Sequence, residues 1–184
     1  MAETTTTGTI IDHLTADHQQ IKVLFSDVMF VRPENRGDVF CQLVSELAQH
    51  EVAEELVVFP EVKGSSPDAA AVVEALRHEQ ADVEQMLAEM EKLEPTNPEF
   101  TGALAELSTA VINHAEAEER GVFPLLRAAG DRDALFELAA RYEKAKQSAP
   151  THPHPHAPDT PPANKILAPI TALFDRARDA VRRI

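Results

Sequence analysis

At 184 residues the chain is long enough for one domain with a full core plus an appendage. Its formal charge of −14 argues against a nucleic-acid surface or an anionic membrane as the main partner. A single cysteine, Cys41, excludes an internal disulfide and a thiolate-built zinc or iron–sulfur site, and its apolar neighbours Phe40, Leu43 and Val44 predict a buried thiol.

Scarce glycine and abundant Ala, Leu, Glu and Val favour helix throughout. The N-terminus has no basic start, and no apolar run reaches membrane-spanning length. The expectation is a cytoplasmic protein with no membrane partner. After a polar tail at 1–7, the steps Ile11, Leu14, His18, Ile21, Phe25 and Val28 predict a first helix from about Thr9 to Val31. His18 occupies a slot in that inward stripe; His13 does not, and is expected in solvent. A second helix is predicted from Asp38 to Lys63, ended by Gly64 and bent by Pro60, with the stripe Phe40, Leu43, Leu47, His50, Glu54. Ser66-Pro67-Asp68 and Asn97-Pro98-Glu99 are both helix starts: a capping side chain, a proline at the first helical position, then an acid in the first turn. They open a third helix ending near Leu93 and a fourth ending near Ala129, whose stripe is Leu104, Leu107, Val111, His114, Glu118, Val122.

A shorter fifth helix is predicted from Asp133 to Lys146. The chain then turns rich in proline and histidine at 149–163, where repeated proline favours an extended polyproline form, before an amphipathic segment at 164–184 with a basic end. His152, His154 and His156 splay from such a strand, as a surface linker or a weak metal-binding tract. The fold class is therefore all-α: an up-and-down antiparallel four-helix bundle with a short fifth helix over 1–148, a linker, and a C-terminal helix.

One motif occurs twice. Residues 50–60 and 114–124 both fit H-x-x-A-E-E-x-x-V-F-P. On a helix, His50 with Glu54 and His114 with Glu118 stand one turn apart on one face. Buried ionisable groups cost several kcal/mol each unless paired or metal-bound. Five on inward stripes (His18, His50, Glu54, His114, Glu118) point to a metal site. Imidazole and carboxylate without thiolate suit iron, manganese or zinc. In this reading Glu54 and Glu118 bridge two ions and the histidines are terminal ligands. Glu55 and Glu119, one position round, point away for solubility or support the ligands from behind.

With Ala-Asp-His18, His50-xxx-Glu54 and His114-xxx-Glu118, residues 9–129 resemble the hemerythrin/HHE cation-binding proteins. The remainder is similar to the tail of actinobacterial members. The resemblance implies a non-haem di-iron centre that meets dioxygen, peroxide or nitric oxide; the expected assembly is a monomer or weak homodimer. The resemblance also implies a histidine on the third helix, and here the chain departs from the pattern. The third stripe, Val73, Leu76, Val83, Leu87, Met90, places Gln80 in the ligand slot, and His78 lies about 200° round the helix from it. Asp17-His18 also aligns with Glu79-Gln80 in an internal repeat. The sixth position is therefore Gln80, or His78 if a local irregularity turns it inward, with Glu79 a more distant candidate. Fewer histidines than in the family's oxygen carriers favour peroxide decomposition over reversible oxygen carriage. The alternatives are an iron sensor or storage module without turnover, and a bundle whose metal site is incomplete.

Overall fold

The computed structural model describes residues 8–90 and 92–149. The expected Pro/His-rich linker and C-terminal helix lie outside them. Among the described residues there is helix and no strand. Helix α1 (Ile10–Phe30) starts on a capping box: Thr9 receives the Asp12 N–H, and Asp12 accepts from the Thr9 backbone at 2.7 Å. A short 3₁₀ turn, Pro33–Asn35, leads into α2 (Arg36–Ala53), which continues through a π turn (Glu54–Val58) into α3 (Phe59–Lys63). Helices α4 (Pro67–Met90) and α5 (Pro98–Ala129) are capped by Ser66 and Asn97, and α6 (Arg132–Ser148) by Asp131.

Where a bend was expected at Pro60, the helix instead carries a π turn just upstream of it. Proline has no N–H for the residue 56 carbonyl, and its ring crowds that group. The chain answers by widening one turn, with the Phe59 N–H reaching back to the Glu54 carbonyl. The same motif on α5 keeps Pro124 inside a continuous helix.

Four elements pack as an up-and-down bundle: α1 lies against α2 and α5, and α4 against α5 and α3. α6 is laid outside the bundle against α1, α2 and the π turn. The core divides into two apolar zones. One holds Leu14, Val57, Leu76 and Val122 with α6 residues Leu138 and Tyr142; the other holds Ile21, Leu47, Val83 and Val111. On every bundle helix the residues between these zones are polar: His18, His50 with Glu54, Gln80, His114 with Glu118. Each flanking Leu or Val contributes about 1.5–3 kcal/mol by burial, so two apolar zones can carry a polar layer that no stability argument would place there.

No helix among the described residues is long and apolar enough to cross a membrane. Cys41 is half-buried, less than expected, because its helix faces partly outward there. Its thiol is pushed up by burial and by Asp38.

Candidate metal centre

The five residues singled out on the inward stripes meet in one layer. Glu54 and Glu118 are each 1 % exposed, and His18, His50 and His114 no more than 4 %. Gln80 is buried in the same layer, whereas His78 is exposed on an uninterrupted α4. Glu118 stands between two rings: one oxygen is 3.2 Å from His18 Nε2, the other 3.4 Å from His114 Nε2. Glu54 lies 3.5 Å from His50 Nε2. His18, His50, Glu54 and Glu118 bring donor atoms within 4.8 Å of one another, and so do Glu51, Glu54 and His114. Glu54 belongs to both groups.

Each ring is gripped from behind through Nδ1. His18 donates to Glu119 at 2.9 Å and His114 to Glu79 at 3.0 Å. His50 donates at 2.7 Å to the Tyr142 hydroxyl, which itself donates to Asp17 at 2.7 Å. Lys146 holds the other Asp17 oxygen and Glu46, both at 2.7 Å. Fixing Nδ1 in this way turns every Nε2 toward the two carboxylates. Of the two roles expected for Glu119, pointing away or supporting a ligand from behind, it takes the second, holding His18. Its counterpart Glu55 is taken by Arg77 at 2.7 and 2.8 Å. His13, expected in solvent, is half-buried against α6 and bonded to Glu143 at 2.7 Å.

Asp17 was missed from the sequence because it lies off the inward stripe of α1, and Glu79 was read only as a distant candidate ligand. Tyr142 shares the buried stripe of α6 with Leu138 and Ala139, but nothing in the sequence says that its hydroxyl reaches His50. A signal did exist: Asp17 and Glu79 occupy matching places in the internal repeat, each just before a ligand slot. Each serves the histidine of the following helix. Glu51, also missed, has Ala115 as its counterpart.

The electrostatics describe a cluster that keeps positive charge beside carboxylates. Burial opposes charge on His114, yet Glu118, Glu51 and Glu79 outweigh it and push its pKa up to about 10. His18 also moves up, burial being overcome by Glu118 and Glu119. His50 moves down, since burial dominates over Asp17. Against burial, His114 and His18 hold Glu118 well below the usual carboxylate range. Burial first, then Glu118 and Glu51, pushes Glu54 well above it. Burial also takes Glu51 up to about 8, with His114 opposing and Glu118, Glu84 and Glu55 adding to the rise.

Five atoms at the centre are fully buried with no hydrogen-bond partner among the described residues: His18 Nε2, His114 Nε2, Glu54 Oε2 and both oxygens of Glu118; the Gln80 amide nitrogen nearby is in the same state. Buried polar atoms left unpaired cost about 1–3 kcal/mol each. Convergent imidazole and carboxylate atoms in that state fit a bound cation, which would compete with protons for the same nitrogens. A cavity of about 10 Å³ opens beside them, lined by His18, Ile21, His50, Glu51, Val111 and His114 among others, with room for about one water.

The family model described as hemerythrin HHE cation binding domain matches residues 9–126. An uncharacterized hemerythrin-like protein of Schizosaccharomyces pombe is 30% identical over 179 residues, 95% of this chain and 87% of that protein. A protein of a Nostoc species named DNA nickase is 25% identical over 74% of this chain, but the match spans only 39% of that protein. A crystal structure of a hemerythrin HHE cation binding domain-containing protein from Mycobacterium kansasii superposes with a TM-score of 0.66. It covers 77% of this chain and 90% of its own, at 22% identity, and speaks for the fold alone.

Proposed function

Because the chain belongs to the hemerythrin HHE cation-binding domain family, we propose that its polar layer holds two non-haem iron ions that bind or react with a small oxygen species. The observation that carries this reading is the common aim of the three rings. Each is anchored through Nδ1, and Nε2 is turned to buried carboxylates, of which both Glu118 oxygens and one of Glu54 lack partners among the described residues. His18 and His50 would hold one ion and His114 the other, with Glu54 and Glu118 shared between them. Bound iron would supply a redox-active Lewis acid with positions open to dioxygen, peroxide or nitric oxide.

The protein's part is orientation, exclusion of water and charge balance. Two apolar zones seal the layer, and the adjoining cavity admits only a very small ligand. Three imidazoles, fewer than in the family's oxygen carriers, favour peroxide decomposition over reversible carriage. Anaerobic loading with ferrous iron followed by elemental analysis tests the metal reading. Near two ions per chain is expected, and near zero would leave a purely structural bundle. If the loaded protein leaves hydrogen peroxide intact, the catalytic version fails while the binding role stands.

The third bundle helix has its own test. Gln80→His, which places an imidazole in the inward slot, is expected to tighten the ion on the His114 side. His78→Ala, on the exposed face of α4, is expected to leave both ions unchanged. The opposite pattern would refute the register argument for Gln80.

A further inference from the structure

We infer that Glu51 is a metal ligand on the Gln80 half of the layer, making that half oxygen-rich where the other is nitrogen-rich. The assignment rests on the two-ion reading above.

Three departures from the internal repeat fall on the same half. Gln80 stands where the other half has His18. Glu55, counterpart of the Glu119 that holds His18, is bound bidentately to Arg77 and supports no ring. Glu51 then follows His50 directly, whereas Ala115 follows His114. The half that has lost an imidazole, and with it the use for an orienting acid, has gained a carboxylate that the other half lacks.

The geometry agrees. Glu51, Glu54 and His114 each offer a donor atom within 4.8 Å of the others. Glu54 Oε2 and His114 Nε2 are buried and unpartnered among the described residues. Glu51 is half-buried and lines the cavity under the histidines.

The chemistry gives the substitution a reason. Glutamine is a neutral and weaker donor, and two divalent ions against Glu54 and Glu118 alone would leave uncompensated positive charge in a buried layer. A third carboxylate reduces it. Because carboxylate oxygen is harder than imidazole nitrogen, the two ions become inequivalent.

The test is a ferrous titration of the full chain under anaerobic conditions, with elemental analysis and Mössbauer spectra. Wild type should bind two ions in spectroscopically distinct environments. Glu51→Gln keeps the side chain's volume and should retain one ion, with the second weakened about tenfold or more and only one of the two signals altered. Glu55→Gln, which loosens Arg77, should keep both. Adding Gln80→His to Glu51→Gln should restore the second ion, and this double variant also shows that the loss was not misfolding. Two ions bound by Glu51→Gln with unchanged affinity would overturn the ligand assignment alone. Fewer than two in wild type, seen before any substitution, would overturn the two-ion reading and the assignment with it.

Discussion

Replacing Glu118 by glutamine is expected to leave a folded bundle that no longer retains iron through desalting. Among the described residues Glu118 is the one side chain whose two oxygens face two different histidines, 3.2 Å from His18 and 3.4 Å from His114. Every other proposed ligand serves one side, except Glu54, whose proton burial and the Glu118 charge hold more tightly than usual in the absence of an ion. Glu118→Gln removes the anionic centre shared by both ions at almost no change in volume.

The ion-free variant should nevertheless fold, because two effects oppose each other. His18 and His114 lose the carboxylate that holds their protons, which destabilises the cluster. Glu54 loses its main charged repeller and can ionise in place of Glu118. The clean readout is therefore the metal-dependent part of stability. An ion present at a thousandfold excess over its Kd adds about 4 kcal/mol, roughly 8–16 °C in Tm for a chain of this size. Wild type should show a rise of that order on anaerobic iron addition, and Glu118→Gln should show none. An undiminished rise in the variant would mean that the ions are not held at this layer.

How much of this could be read from the chain depends on which direction a residue points. The bundle and the inward placing of His18, His50, Glu54, Gln80, His114 and Glu118 follow from period alone, because each shares a stripe with residues of the apolar core. The separation of Gln80 from His78 is the clearest case: they are two residues apart, and only the period tells them apart. Residues that reach sideways to a neighbouring helix follow no such rule. Glu119 and Glu55 are equivalent in the repeat, yet one meets His18 and the other Arg77, a choice made by what stands on the adjacent helix. The π turn is similar. Pro60 and Pro124 sit in the same motif, but only the first copy widens its helix, with α6 packed against the widened turn. Asp17, Glu79 and Glu51 were legible only by setting the two halves side by side and asking what each position faces.

Tyr142→Phe is the second large effect, and it tests whether α6 is part of the site. The residue lies beyond 9–126, the span matched by the family model, yet its hydroxyl is the link between His50 and Asp17. Its oxygen accepts the His50 Nδ1–H and its proton goes to Asp17, so it sets the neutral tautomer that leaves Nε2 free for a cation. Without the hydroxyl, His50 Nδ1 faces Asp17 across 3.6 Å, too far for a good bond. Leaving those buried groups unpaired should cost about 1–3 kcal/mol of stability. The stronger expectation is a 10–100-fold loss of affinity for the ion on the His18 and His50 side, a typical magnitude for a lost support behind a ligand. The ion on the His114 side, whose ring is held by Glu79 instead, should be little changed. A titration resolving the two ions measures both. A lower Tm with both affinities intact would reduce α6 to a structural prop, whereas selective loss of one ion would make the site a five-helix construction.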